Sequence, residues 1–509
     1  MTTNDIVFDG GWLSIEAICL LADRQAVCRL SEQAEFVTRI DKGALFIDAL
    51  LKEEGFVYGV TTGYGDSCTV SIPLNLVEEL PKHLYTFHGC GLGQHFDPQQ
   101  TRAILAVRLV SLARGFSGVR YKLLQQLAEL IKQDILPLMP QEGSVGASGD
   151  LTPLSYLAAV LAGEREVLYQ QQRLPTQAVF AQLNIEALTL KPKEGLAIMN
   201  GTAVMTGIAC LAFQRAEYLS RLTTRISSLT SVALQGNAYH FDEKLFSVKP
   251  HPGQTLVAKR IRADLQVTES APRHDTRLQD RYSLRCAPHV IGVLEDSLPW
   301  LRQFIETELN SASDNPIIDA EGEHVLHGGH FYGGHIAFAM DGLKTAVANL
   351  ADLLDRQMAQ LMDTKFNHGL PANLSGAAAD QAMLNHGFKA VQIAVSAWTA
   401  EALKLTMPAS VFSRSTECHN QDKVSMGTIA ARDCIRILEL TEQVAAAALL
   451  AAVQGVELRI NVDSLSPALI KTVKQVREHS PFLATDRALE QELRLFLELI
   501  HKRHWDLYE

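Results

Sequence analysis

The sequence lacks the marks of a disulfide-stabilised, zinc-binding or membrane-spanning protein. Its eight cysteines are scattered without a Cys-x-x-Cys pair, a pattern that favours reduced thiols over a disulfide framework or a zinc knuckle. The longest alanine-rich stretch, Val444 to Val453, is too short to cross a bilayer, and acidic residues stand near the N-terminus where a secretory signal carries basic ones. We therefore expect a soluble protein of the cytoplasm.

Positive charge is also scarce. The chain holds 46 lysines and arginines against 57 aspartates and glutamates, a formal net charge of −11, so a surface that follows nucleic-acid phosphates is not expected. Low-complexity tracts are missing, and 47% hydrophobic with 20% charged residues is an ordinary globular balance. With 509 residues, the chain has room for a large core in one elongated body or in two or three subdomains.

Three long stretches show apolar residues at helical spacing. From Gly334 onward, apolar side chains recur every three or four positions as far as Leu361 without a proline, and similar runs extend from Val204 to Leu229 and from Gly427 to Gly455. These patterns predict a mainly α fold, an elongated bundle of long helices over residues 201–509, and oligomerisation is expected. Residues 1–200 hold shorter segments broken by glycine-rich loops, which favours a smaller N-terminal α-rich subdomain.

The loop that decides the chemistry lies in residues 143–157, GSVGASGDLTPLSYL. Small residues lead into a predicted helix, for which Thr152 is the expected N-cap and Pro153 the first helical residue. An Ala-Ser-Gly tripeptide alone arises by chance in roughly one chain of this length in five, at about 7% usage of each residue type. The tripeptide needs support from the rest of the sequence.

Ala147-Ser148-Gly149 can form an electrophile by cyclisation. If the Gly149 nitrogen attacks the Ala147 carbonyl, ring closure and two dehydrations give a 4-methylidene-imidazole-5-one (MIO), with the Ser148 side chain as its exocyclic methylene. Glycine offers no Cβ to obstruct the attack, alanine leaves the carbonyl unshielded, and serine supplies the hydroxyl that is eliminated. The N-terminal subdomain, residues 1–200, is therefore expected to carry an MIO loop.

Five further strings accompany this loop in a fixed order. With them the sequence resembles the aromatic amino acid lyase family, which includes histidine, phenylalanine and tyrosine ammonia-lyases and related aminomutases, and its size resembles the compact bacterial type. The resemblance implies a mainly α-helical homotetramer with shared active sites, which eliminates ammonia from a small aromatic amino acid. The strings are YGVTTGYG from Tyr58, EGLAIMNGT from Glu194, QDRYSLRC from Gln279, SDNP from Ser313 and NQDKVSMG from Asn420.

The resemblance also implies roles for single residues. Tyr58 would be the general base, which requires a phenol pKa lowered by positive surroundings, although a packed core tyrosine is the ordinary alternative. Arg285 would clamp the substrate carboxylate with its planar fork, and Asn200 and Asn315 would contact the electrophile and the carboxylate. Three other positions are predicted to bind substrate: Gln279, Tyr282 and Phe331.

Three residues bear on the choice of substrate. Phe87 resembles phenylalanine lyases, whereas His88 resembles histidine lyases and some tyrosine lyases. Gln421 stands where histidine lyases usually carry a glutamate, so we expect L-tyrosine, or L-phenylalanine, as substrate and 4-coumarate or cinnamate as product. A histidine ammonia-lyase giving urocanate, a 2,3-aminomutase and an inactive helical scaffold remain as alternatives.

Some positions depart from the family's usual residues. His330, Tyr332 and His289 stand where relatives commonly have asparagine, histidine and glutamine. The histidines at 327, 330 and 335 lack a carboxylate or cysteine at ligand spacing, so they are expected to line a pocket and no metal is expected. The fumarase and argininosuccinate-lyase group is disfavoured because the chain has no loop like GSSxMPxKxN.

Overall fold

A computed structural model describes residues 4–53, 57–267 and 278–508. The mainly α fold expected from the sequence is confirmed. The α-helices are α1 Ile15–Ala22, α2 Ala34–Lys52, α3 Leu80–Phe87, α4 Pro98–Ala113, α5 Tyr121–Lys132, α6 Leu151–Leu161, α7 Thr176–Leu183, α8 Pro192–Met199, α9 Ala203–Ala233, α10 Glu243–Ser247, α11 Pro252–Asp264, α12 Tyr282–Arg285, α13 Ala287–Leu309, α14 Gly334–Met362, α15 Lys389–Lys404, α16 Gly427–Arg459, α17 Pro467–Arg477 and α18 Glu490–His501.

The strands are short and form small sheets. β1 pairs with β2 in parallel, β3 pairs with β5 antiparallel, β6 lies between β4 and β7, and β8 forms a hairpin-like pair with β9. Their bounds are β1 Asn4–Phe8, β2 Ala26–Leu30, β3 Leu92–His95, β4 Leu136–Pro137, β5 Pro140–Glu142, β6 Glu166–Tyr169, β7 Gln172–Pro175, β8 Ile317–Asp319 and β9 His324–Leu326.

The three predicted long helices are confirmed as α9, α14 and α16, which have 31, 29 and 33 residues. Their apolar positions are buried as the spacing requires: in α14, Ile336, Leu343 and Leu354 have no exposed surface. Alanine-rich α16 is buried along its middle from Val444 to Val453, because small side chains let neighbouring helices approach closely. Among the helices of the described ranges, none has an apolar stretch that could span a bilayer.

The chain forms two compact units, each discontinuous in sequence. The first comprises the described residues of Met1–Gln214, Arg302–Asp341 and Pro408–Arg432, and it holds all the strands given above; the second comprises those of Arg215–Leu301, Gly342–Met407 and Asp433–Glu509. Four of the five unit boundaries fall within α9, α13, α14 and α16, and the fifth, between Met407 and Pro408, follows α15. The separate N-terminal subdomain expected over residues 1–200 stays a prediction.

The start of α6 differs from the expected cap. Asp150 is the N-cap residue, Thr152 is the second helical residue and Pro153 the third. The Asp150 side chain does not cap its own helix, because its carboxylate accepts hydrogen bonds from the first turn of α9 at Val204 and Met205 instead. A tertiary contact has therefore moved the helix start two residues ahead of the local signal.

Candidate active site

A cavity of about 620 Å³ lies in the first unit. It brings together six of the residues predicted from sequence, which come from four separate stretches of the chain. The lining residues are Tyr58, Thr62, Gly65, Cys68, Ala147, Ser148, Asn315, His327, Gly328, Phe331, Asn420, Gln421, Asp422 and Lys423.

The Ala147–Gly149 loop is held by its main chain against the MNGT segment that follows α8. The Ser148 carbonyl oxygen accepts two hydrogen bonds, from Asn200 Nδ2 at 2.9 Å and from the Gly201 nitrogen at 3.2 Å. The Asp150 nitrogen in turn donates to the Gly201 carbonyl oxygen at 2.8 Å. The two segments therefore form a short bridge that fixes the loop's position.

Gly149 is required by this bridge. Its φ is +79°, and a Cβ at this position would overlap the carbonyl oxygen and the nitrogen of Gly201. Ser148 also has a positive φ, +53°, which is uncommon for a residue with a side chain. The loop thus has the compressed backbone that a side chain at 149 would prevent.

Tyr58 lies in the turn before the 3-10 helix Gly65–Thr69. Its hydroxyl oxygen accepts a hydrogen bond from the Gly65 nitrogen at 2.7 Å, and its ring meets the His327 ring edge to face at 6.4 Å. The expected lowering of the Tyr58 pKa is wrong for this chain. Burial raises the pKa of the phenol and the Glu417 carboxylate adds to the rise, which together outweigh the opposing Gly65 N–H.

Gln421 also lines the cavity and contacts the tripeptide. Its Nε2 donates to Ser148 Oγ at 3.3 Å, and its main chain pairs with Thr416 to close the loop that carries it. On that same loop, the Glu417 carboxylate accepts from the Asp66 nitrogen at 2.9 Å through both oxygens. The loop therefore connects the tripeptide with the segment that carries Tyr58.

Phe87 and His88 stand at the C-terminal end of α3, outside the described cavity lining. Their rings lie 4.5 Å apart, Phe87 is 59% exposed, and burial lowers the pKa of His88 to about 4. His88 is thus a neutral imidazole at physiological pH. Selectivity by these two residues stays a prediction.

Gln279, Tyr282 and Arg285 belong to the second unit, whereas every described lining residue of the cavity belongs to the first. Arg285 packs its guanidinium over the Tyr282 ring at 4.6 Å, and its Nε donates to the Asp280 carbonyl oxygen at 3.0 Å. The carboxylate-clamping role of Arg285 is untested by this geometry and stays a prediction.

The three singled-out histidines have separate surroundings. His327 lines the cavity, His330 is exposed and accepts from Ser313 Oγ through its carbonyl oxygen, and His335 packs edge to face on Phe304 at 5.0 Å. No group of three or more histidine, cysteine, aspartate or glutamate side chains in the described part of the chain could hold a metal ion. Of the three, only His327 fits the expected role in lining the pocket.

Asp150 is a site residue that sequence reasoning did not assign. It is fully buried, and its carboxylate accepts from the Val204 and Met205 nitrogens at 3.1 and 3.0 Å and from the hydroxyls of Ser144, at 3.0 Å, and Thr428. The one feature of the sequence that could have indicated its role is its position directly after the tripeptide. An aspartate just before a helix is ordinarily explained as a helix N-cap, and its distant hydrogen-bond partners are known only from the structure.

A buried ion pair lies behind Asn315 and was also not predicted. Lys193 Nζ contacts Asp314 Oδ2 at 2.8 Å, and both side chains are almost fully enclosed. Asp314 also accepts from the Asn315 nitrogen at 2.7 Å, and Asn315 Oδ1 accepts from the Gly328 nitrogen at 2.8 Å. These bonds fix the Asn315 side chain at the cavity wall.

Comparison with known proteins assigns the family. Residues 13–478 match the family model described as aromatic amino acid lyase. A protein named histidine ammonia-lyase from Bacillus velezensis is 39% identical, with 86% of each chain covered, and one from a Geobacillus species is 36% identical over 99% of this chain and 98% of the relative. The solved tyrosine aminomutase of Streptomyces globisporus is 33% identical with a TM-score of 0.91, covering 98% of this chain and 97% of that one.

These matches correct one expectation and confirm another. The preference for tyrosine or phenylalanine is wrong, because relatives that match nearly the whole chain are named histidine ammonia-lyase. The expected enzyme class, an ammonia-lyase of the MIO-dependent kind, is confirmed at the level of the family. This chain belongs to the aromatic amino acid lyase family.

Proposed function

We propose that this chain is a histidine ammonia-lyase, which removes ammonia from L-histidine and releases urocanate. The observation that carries the proposal is the near-full-length similarity to proteins of that name at 35–39% identity. The reaction must take a weakly acidic proton from the substrate Cβ while ammonia leaves Cα, so it needs an electrophile, a base and a carboxylate anchor.

The lining of the cavity supports an imidazole substrate. An imidazole ring presents an N–H donor and a nitrogen acceptor, and the residues that line the cavity include two amides, Asn420 and Gln421, and one carboxylate, Asp422. The sequence argument against histidine rested on Phe87 and on the neutral Gln421. Asp422, one residue further on, supplies a carboxylate in the same cavity, and this acid was not weighed.

The residues around the tripeptide fit an MIO group formed from Ala147, Ser148 and Gly149. Gly149 has no room for a side chain, and Ser148 lines the cavity with its Oγ accepting from Gln421 Nε2. When formed, the MIO group supplies an electrophile that draws electrons from the substrate amine and makes ammonia a better leaving group. Asn200 Nδ2 and the Gly201 nitrogen would hold its carbonyl oxygen, which is the oxygen of Ser148.

Tyr58 is the proposed base that takes the proton from Cβ. Tyr58 lines the cavity, and its hydroxyl accepts from the Gly65 nitrogen, a contact that stabilises the phenolate. Burial and Glu417 work against ionisation, so further positive charge is needed in the working site. We propose that the chain acts as a homotetramer with shared active sites, in which Arg285 anchors the substrate carboxylate with Gln279 and Tyr282 beside it.

The test is an assay of the purified chain with L-histidine, L-tyrosine and L-phenylalanine at equal concentrations, followed by the ultraviolet absorbance of each conjugated product. We expect urocanate to dominate. The matched control is Ser148→Ala, which lacks the hydroxyl to be eliminated and should give no product, so that a contaminating lyase is excluded. Dominant 4-coumarate or cinnamate would overturn the proposed substrate, and chromatographic detection of β-histidine as main product would replace the lyase by an aminomutase.

A further inference from the structure

Arg108 is a fully buried arginine in the middle of α4. Its guanidinium donates to two main-chain carbonyl oxygens, from Nη1 to Asn200 at 3.0 Å and from both Nη1 and Nη2 to Ser313 at 3.3 Å. A buried carbonyl without a donor is costly. Arg108 therefore joins the MNGT and SDNP segments through their backbones.

These two carbonyls adjoin the groups that hold the tripeptide. Asn200 carries the Nδ2 that donates to the Ser148 carbonyl oxygen, and the peptide bond after it supplies the Gly201 nitrogen, the second donor to that oxygen. The Ser313 hydroxyl accepts from the Thr202 nitrogen at 3.1 Å. Arg108 thus binds the carbonyl of the same residue, Asn200, whose side chain donates to Ser148, and of the same peptide bond whose Gly201 nitrogen is the second donor.

Gly201 shows how closely the guanidinium fits. Its φ is +142°, and a Cβ there would overlap Arg108 Nη1 and the Ser313 carbonyl oxygen. Glycine allows the backbone to approach the cation directly. Arg108 and Gly201 therefore form one packed unit behind the Ser148 carbonyl.

The charge of Arg108 is balanced within the same unit of the structure. Burial lowers its pKa to about 10, while Asp314 and Asp150 oppose that change, so the guanidinium stays ionised at neutral pH. With Lys193, the buried groups comprise two cations and two carboxylates. Such mutual compensation is what allows charges to remain inside a protein.

We propose that Arg108 is a positioning residue that aims the Asn200 amide and the Gly201 N–H at the Ser148 carbonyl oxygen. This role rests on the proposed MIO function. Ring closure joins the Gly149 nitrogen to the Ala147 carbonyl carbon and releases two waters, which carry away the Ala147 carbonyl oxygen and the Ser148 hydroxyl. When the Asn200 amide and the Gly201 N–H are fixed on the Ser148 carbonyl oxygen, they hold the loop in the geometry that closure requires. After closure the same two donors stabilise negative charge on the Ser148 oxygen.

Arg108→Lys tests the role, because lysine keeps the charge but has no planar fork to serve two carbonyls. The matched control is Arg102→Lys, on the same helix, where the side chain binds Asp134 at 2.6 Å and lies outside the cavity lining. We measure the intact mass, the circular dichroism melting curve, kcat and KM. The mass reports ring closure independently of any substrate.

We expect wild type and Arg102→Lys to be two waters lighter than the sequence mass. Arg108→Lys should keep its helical signal, contain a large fraction at full sequence mass, and lose about 10- to 100-fold in kcat with KM changed by less than about threefold. If Arg108→Lys does not fold, Arg108→Gln is the second variant, since its neutral amide can donate but has no planar fork to serve both carbonyls, and incomplete closure is again expected.

Complete closure in Arg108→Lys together with kcat within about twofold of wild type would overturn the positioning role and leave the MIO proposal intact. A wild-type chain at full sequence mass would overturn the MIO proposal and this role with it. The intact mass does not depend on which amino acid the enzyme accepts. If L-histidine is not the substrate, the activity assay alone will show it, and both mass results stay the same.

Discussion

Two substitutions of Asp150 test how the tripeptide is anchored, because they differ in the hydrogen-bond acceptors that remain at this position. Asp150→Asn removes the charge but keeps an oxygen for the Val204 and Met205 nitrogens, while its new NH₂ can donate to the hydroxyls of Ser144 and Thr428 after these rotate. Asp150→Ala leaves all four donors without this acceptor.

The expected costs follow from those contacts. Hydrogen bonds to a charged group contribute more than neutral ones, so Asp150→Asn should cost about 1–2 kcal/mol. In Asp150→Ala two buried N–H groups in the first turn of α9 lose their acceptor, at about 1–3 kcal/mol each, and the lost side chain leaves a cavity, which gives about 3–6 kcal/mol.

The assay is amide hydrogen exchange of a peptide that covers the start of α9, because a chain with two compact units need not unfold in a single transition. Exchange at Val204 and Met205 should accelerate by about 100-fold or more in Asp150→Ala and by about tenfold in Asp150→Asn. Peptides from α18 serve as the internal control and should exchange as in wild type. Equal exchange in Asp150→Ala and wild type, or a larger effect of asparagine than of alanine, would refute the reasoning.

Two further predictions concern a glycine and a buried carboxylate. Gly149→Ala should abolish ring closure, because its Cβ overlaps the Gly201 carbonyl oxygen; the intact mass should equal the sequence mass, whereas Gly163→Ala, also at positive φ but facing only the Ala187 side chain, should still close. Burial alone raises the pKa of Glu442, but Arg215 and His501 outweigh it and bring that pKa to about 2. Because the pKa of Glu442 is lower in the folded than in the unfolded chain, its ionised form stabilises the fold above the unfolded-state pKa, and this stabilisation is lost as the pH falls from about 5 towards 2. Acid should therefore remove about 3 kcal/mol from the free energy of unfolding of wild type. Denaturant melts of Glu442→Gln at a series of pH values should lack this part of the pH dependence, and an acid profile identical to wild type would contradict the prediction.

The long helices were predictable from sequence because their determinants are local. Apolar residues at spacings of three and four specify one buried face whatever the partner helix is, and α9, α14 and α16 lie where these spacings place them. The enzyme class was predictable for a related reason. The chemistry of ring closure depends on three consecutive residues, and the five accompanying sequence motifs indicate which family the chain resembles.

The substrate and the state of the base were not predictable in this way. The expected lowering of the Tyr58 pKa failed because burial, which the sequence does not give, dominates the pKa. The preference for tyrosine or phenylalanine failed because it rested on single selectivity positions, whereas relatives that match nearly the whole chain are named histidine ammonia-lyase.

The sequence by itself determined the helical periodicity and the residues able to form the electrophile, since both depend on neighbours along the chain. Only the tertiary structure decided that Gln421 meets Ser148 across 273 positions and that Arg108 reaches Asn200 and Ser313 across 92 and 205. Arginine in an apolar helix and aspartate before a helix have ordinary local explanations. Their role behind the tripeptide follows from burial and distant hydrogen bonds, which depend on how the whole unit packs.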